Sequence, residues 1–164
     1  MLSEKMLGLL NDQITREHFS SNLYLQMSGW AKTQGLNGSA KFLRDHAQEE
    51  MSHMMKLFDF VVECGSQPII EGMDKPKAEY DSIEQIFTEI LAHEKEITKR
   101  IHELAHTAMQ DKDYLAFNFL QWYIAEQHEE ETLFSDIMDK IHILGTEGRS
   151  LFMLDRELGN MVDD

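Results

Sequence analysis

Both prolines of the chain, Pro68 and Pro76, fall in one segment, so nothing elsewhere along the sequence forbids long uninterrupted helices. That segment also holds Gly65 and Gly72 and shows little hydrophobic periodicity, which marks a connector over about 65–82. Upstream, stretches over about 5–34 and 39–64 carry helical spacing. They are separated by Gly35-Leu36-Asn37-Gly38-Ser39, whose glycines can take the positive φ angles that end a helix. So short a link predicts antiparallel neighbours. Downstream, Ser82-Ile83-Glu84-Gln85 reads as an N-cap with a capping-box glutamine, opening a helix over about 83–110. Asp111-Lys112-Asp113 breaks it, a fourth helix runs over about 113–143, and Gly145-Thr146-Glu147-Gly148 leads into a short fifth over about 146–158. No stretch alternates as a strand would. Two helical hairpins joined by a crossover of about 16 residues predict an all-α four-helix bundle with one long loop, a short fifth C-terminal helix and a single domain over 1–164.

The charge balance narrows the partners. With 30 acidic against 15 basic side chains, the chain repels a phosphate backbone or an anionic membrane surface, and metal cations suit it better. At 164 residues and 42% apolar composition it can bury one substantial core. A single cysteine, Cys64, excludes a disulfide framework and any CxxC pair, which fits a reducing compartment. Met1-Leu2-Ser3-Glu4-Lys5 lacks the apolar run of a signal peptide, and no stretch approaches the roughly 20 apolar residues of a membrane span. The expectation is a cytoplasmic protein with neither nucleic-acid nor membrane partners.

The functional signal lies where the apolar stripes are broken. The core face of the first helix runs through Leu10, Ile14, Glu17, Ser21 and Tyr24, and that of the second through Leu43, Ala47, Glu50, His53, Leu57 and Val61. The third reads Phe87, Ile90, Leu91, Glu94, Ile97, Ile101 and Leu104, and the fourth Leu120, Tyr123, Gln127, Glu130, Phe134 and Ile137. Each carries an acid near mid-helix. Four carboxylates at the centre of one bundle repel one another and lose hydration unless a cation or protons compensate them. Glu50-x-x-His53 sets an oxygen and a nitrogen ligand on one helix face, a donor set suited to iron or manganese rather than to a thiolate-seeking metal. Di-iron bundles draw a glutamate from each of two helices and Glu-x-x-His from the other two. The first half of this chain complies, whereas Gln127-x-x-Glu130 replaces the second Glu-x-x-His.

Three segments, Ala47-Gln48-Glu49-Glu50-Met51-Ser52-His53, Asn118-Phe119-Leu120-Gln121-Trp122-Tyr123 and Glu126-Gln127-His128-Glu129-Glu130-Glu131, resemble the signature segments of prokaryotic non-haem ferritins, in order and at the expected separations. The likeness covers essentially the whole chain. It implies a ferritin-like bundle that acts as a ferroxidase, oxidising Fe(II) to Fe(III) with oxygen or peroxide and depositing ferric oxide mineral inside a homo-oligomeric cage of twenty-four subunits. By that resemblance Glu17, Glu50 and His53 hold one iron, and Glu94, Glu130 and the bridging Glu50 hold the second. Gln127 sits beside the second iron as a hydrogen-bonding neighbour, and Tyr24 matches a tyrosine that can supply an electron. Glu49, Glu126 and Glu129, with Glu130 shared, resemble a nearby third iron site. Haem is not expected: the related bacterioferritins carry a methionine where Ser52 stands and keep the second Glu-x-x-His.

Other readings fit less well. His102-Glu103-Leu104-Ala105-His106 matches the HExxH pattern of zinc proteases, but both imidazoles fall some 80° to 120° from the core stripe at about 100° per residue, and no third ligand follows. A rubrerythrin-like peroxidase needs a cysteine-rich iron module. DNA-protecting mini-ferritins set their metals between subunits, and the acidic charge opposes DNA. The non-enzymatic alternative is a cage subunit that stores iron oxidised elsewhere, which an intact glutamate set argues against. The eleven methionines read as core filler.

Overall fold

The computed structural model describes residues 2–162, which form five helices and, among the described residues, no strand. They are α1 (Glu4–Thr33), α2 (Asn37–Glu63), α3 (Ile83–Gln110), α4 (Tyr114–Leu144) and α5 (Gly148–Asn160). Helix α1 pairs with α2 and α3 with α4, α1 also meets α3, and α5 lies mainly against α2. The result is a four-helix bundle with one long crossover and a short C-terminal helix.

Local chemistry explains most of the helix starts. The Ser3 hydroxyl accepts from the Met6 N–H at 3.2 Å, Ser82 from Gln85 N–H at 3.1 Å, and the Asp113 carboxylate from Ala116 N–H at 3.0 Å. The glutamine of the expected capping box reaches one residue further back: its side-chain oxygen accepts from Asp81 N–H at 2.7 Å. Helix α2 has no side-chain cap of its own, since Leu36 stands at its N-cap. Asp155 of α5 supplies the cap from outside. Its carboxylate accepts from Gly38 N–H at 3.0 Å, from Ser39 N–H at 2.7 Å and from the Ser39 hydroxyl at 2.7 Å, placing a negative charge on the positive end of α2.

That docking corrects the reading of the α1–α2 link. Gly35, at φ +80°, takes the left-handed conformation that ends α1, but Gly38 lies inside the first turn of α2. Its role is close approach: a Cβ there would stand 1.8 Å from the Asp155 carbonyl oxygen, and one on Gly159 would stand 2.9 Å from Gly38 Cα.

The core falls into two apolar clusters. One joins Met27, Phe42, Leu43, Phe87, Ile90 and Phe134 and extends to Leu154 and Leu158 of α5. The other joins Met6, Leu10, Ile14, Leu57, Val61, Ile101 and Leu120 at the opposite end. Between them lies the layer of buried polar side chains that the four broken stripes produce. The crossover is pinned along α1, where Asn11 accepts from Ile69 N–H at 3.0 Å and Thr15 from Glu71 N–H at 3.2 Å.

Candidate metal centre

Glu17 from α1, Glu50 and His53 from α2, Glu94 from α3 and Gln127 and Glu130 from α4 occupy that layer, and none is more than 5% exposed. Glu17 and Glu94 are held by side chains one helical turn away or on a facing helix. Glu17 receives the Gln13 amide at 2.5 Å and the Tyr123 hydroxyl, both on the same oxygen, so its other oxygen faces His53 Nδ1 at 3.9 Å. Glu50 stands 3.7 Å from the same nitrogen. Ligand atoms of Glu17, Glu50 and His53 all lie within 4.8 Å of one another. The other ring nitrogen of His53 lies 3.5 Å from a Glu126 carboxylate oxygen.

On the α3–α4 side, Gln127 donates to the Glu94 carboxylate at 2.6 Å and to its backbone carbonyl at 3.1 Å, while the Tyr24 hydroxyl donates to the other carboxylate oxygen. Tyr24 is fully buried, with its ring edge-on to His93 at 6.2 Å. Burial first, then the Glu94 and Glu50 charges, hold its phenol well above the ordinary value, so it remains protonated.

The carboxyls titrate as crowded, dehydrated acids. Burial raises Glu50 well above the ordinary carboxylate range, with Glu17 and Glu94 adding to the effect. Burial pushes Glu94 up to about 7, against the opposing hydrogen bonds from Tyr24 and Gln127. Glu130 rises to about 9, from burial first and then the charges of Glu94, Glu49 and Glu126. One buried Glu130 oxygen has no hydrogen-bond partner. A buried acceptor left unpaired is costly, and a cation satisfies it directly.

Glu49 and Glu126 are half-buried and Glu129 is exposed. All three line a solvent-open cavity of about 330 Å³ whose wall includes Glu130, so the layer is joined to solvent through an acidic vestibule. Ligand atoms of Glu49, His53 and Glu126 lie within 4.8 Å of one another; Glu129 stands at the rim, outside that group.

Two partners escaped the sequence reading. His46 brings Nε2 to 3.8 Å from both Glu49 and Glu130, while its Nδ1 faces the Phe42 carbonyl at 3.3 Å. Burial lowers its pKa, favouring the neutral ring. Its spacing to Glu49 and Glu50 (i, i+3, i+4) sets all three on one helix side, which is the signal that could have found it. Gln13, one turn before Glu17 on the buried face of α1, is the other. His102 and His106 of the HExxH match are both exposed, facing away from the centre.

Comparison with known proteins places the chain in a family. The ferritin-like domain family matches residues 7–144. A probable bacterial non-haem ferritin-like protein of Haemophilus influenzae is 53% identical over 98% of each chain. A bacterial non-haem ferritin of Escherichia coli is 48% identical over 98% of each. The solved open-pore ferritin of the hyperthermophilic archaeon Archaeoglobus fulgidus superposes with a TM-score of 0.94 at 45% identity, covering 97% of this chain and 98% of that one.

Proposed function

This chain belongs to the ferritin family, and from that premise we propose that it stores iron and is itself a ferroxidase, oxidising Fe(II) to Fe(III) at a paired site within one bundle. The observation that carries the reading is the buried layer itself: four helices each contribute a carboxylate to one plane between two apolar clusters, with His53 beside them and a Glu130 oxygen unpaired. Such a cluster is stable only with protons or cations. Iron is the substrate and the cargo.

In this reading Glu17, Glu50 and His53 hold the first iron and Glu50, Glu94 and Glu130 the second. Gln127, hydrogen-bonded to Glu94, orients that carboxylate. Two irons side by side give up one electron each, so oxygen or peroxide is reduced by two electrons without releasing a radical. Carboxylates favour the harder Fe(III) product and take part in its onward passage. Tyr24, protonated and bonded to Glu94, is placed to supply a further electron as its proton passes to that carboxylate. Glu49, Glu126 and Glu129, with Glu130, form a third iron position in the vestibule beside the pair. Copies of the chain close into a cage of twenty-four, where ferric oxide collects. The acidic balance and the lone Cys64 suit a cytoplasmic setting; no helix of the described residues is long and apolar enough to cross a membrane.

Substitution tests it. Glu50→Ala with His53→Ala should remove the fast phase of Fe(II) oxidation while the protein elutes at the same assembled size as the wild type. A fast phase that survives in the double variant rejects the named centre and leaves a subunit that stores iron oxidised elsewhere.

A further inference from the structure

The HExxH match on α3 takes no part in the iron chemistry. His102 and His106 lie four residues apart near the end of a 28-residue helix, so their side chains stack one turn apart on one face with Cβ atoms about 5–6 Å from each other. Both are exposed, whereas Ile101, Leu104, Ala105, Thr107 and Ala108 around them are buried. Those buried neighbours fix the rotation of the helix, so the imidazoles share the solvent side and cannot turn inward. Among the described residues neither ring has a hydrogen-bonding or ionic partner, which leaves their nitrogens to water.

We propose that His102 and His106 form a two-nitrogen clasp for a borderline divalent transition ion, Cu(II) most strongly and Zn(II) next, separate from the iron centre. Bond lengths of about 2.0–2.1 Å from each nitrogen to one ion are within reach of imidazoles at this spacing. Two neutral nitrogens with no thiolate favour copper over zinc by the general order of divalent affinities, and the carboxylate-rich layer remains the harder iron site. The exposed Glu103 and a net charge of −15 draw cations toward this surface. His102 is eight residues beyond Glu94, about 12 Å along the axis, and turned about 80° away from it around the helix, toward solvent. With only two protein ligands and no base held near them, the site binds and does not hydrolyse.

The test is retention of the assembled, chelator-stripped protein on an immobilised Cu(II)–iminodiacetate column, with elution by an imidazole gradient. Resin-bound copper reaches only surface histidines, so the buried layer does not contribute. The wild type should be retained. Because one nitrogen holds the ion while the other closes the chelate, His102→Gln and His106→Gln should each weaken binding by about 100-fold, down to the level of a lone histidine. His142→Gln, which removes another exposed histidine in the last turn of α4, should elute with the wild type. Circular dichroism and elution volume confirm that each variant is folded and assembled. Absence of wild-type retention overturns the proposal. So does wild-type behaviour of either His102→Gln or His106→Gln, or loss of retention in His142→Gln.

Discussion

Replacing Glu130 by glutamine should stabilise the metal-free protein while removing one of the proposed iron ligands. Without a cation, burial and the surrounding acids raise the Glu130 carboxyl from the ordinary 4.5 to about 9. The same group in an unfolded chain ionises near its ordinary value. Folding therefore takes up a proton throughout the window between those values. The stability this group allows is complete below pH 4.5 and is lost as pH climbs toward 9. At pH 7 the distance from the unfolded value is about 2.5 pH units, and at about 1.4 kcal/mol per unit the folded state is weakened by about 3.5 kcal/mol. Glutamine keeps the shape and needs no proton. Metal-free Glu130→Gln should gain up to about 3.5 kcal/mol at pH 7, or roughly 7–14 °C in Tm for a chain of this size, and almost nothing near pH 4.5. The assay is unfolding of chelator-stripped wild type and variant at pH 7 and pH 5, at matched protein concentration. A variant no more stable than wild type at pH 7, or one whose advantage grows on acidification, would refute the electrostatic account.

Tyr24→Phe removes one of the two side-chain donors on Glu94 without opening a cavity. It should leave the bundle intact and slow iron turnover several-fold, with loss of any tyrosyl radical signal in freeze-quenched samples; unchanged turnover would remove Tyr24 from the mechanism. Gly38→Ala places a methyl group where the Asp155 carbonyl stands, so α5 must shift and the Asp155 cap on α2 must break. Loss of such a cap costs about 1–2 kcal/mol, and limited proteolysis should cut α5 far faster in the variant, whereas a wild-type cleavage rate would mean that the close approach is unimportant.

The bundle plan is written in local signals: Ser3, Ser82 and Asp113 begin helices, Gly35 ends one, and both prolines sit in the crossover. The break in each apolar stripe is equally local, because a glutamate on a core face contradicts its surroundings whatever the tertiary fold. Contacts that depend on a distant partner could not be read in this way. Asp155 is an ordinary polar residue of a short helix until α5 folds back on α2 and presents it to Gly38 and Ser39, more than a hundred residues earlier. Gly38 misleads for the same reason, since its small size serves a helix crossing and not a turn. Tyr123 of α4 reaches the Glu17 oxygen that Gln13 already holds from one turn away on α1, and no spacing within either helix reveals that second contact. His46 was concealed by the more conspicuous Glu50-x-x-His53, although its own helical spacing carried the information.

In the proposed centre one bundle holds two irons through Glu17, Glu50, His53, Glu94 and Glu130. Anomalous diffraction at the iron edge, from crystals soaked anaerobically in Fe(II), tests it most directly. Two peaks about 3.5–4 Å apart are expected within the buried layer, one among Glu17, Glu50 and His53 and the other among Glu50, Glu94 and Glu130. Iron found only at the vestibule rim by Glu49, Glu126 and Glu129, with the layer empty, would contradict it.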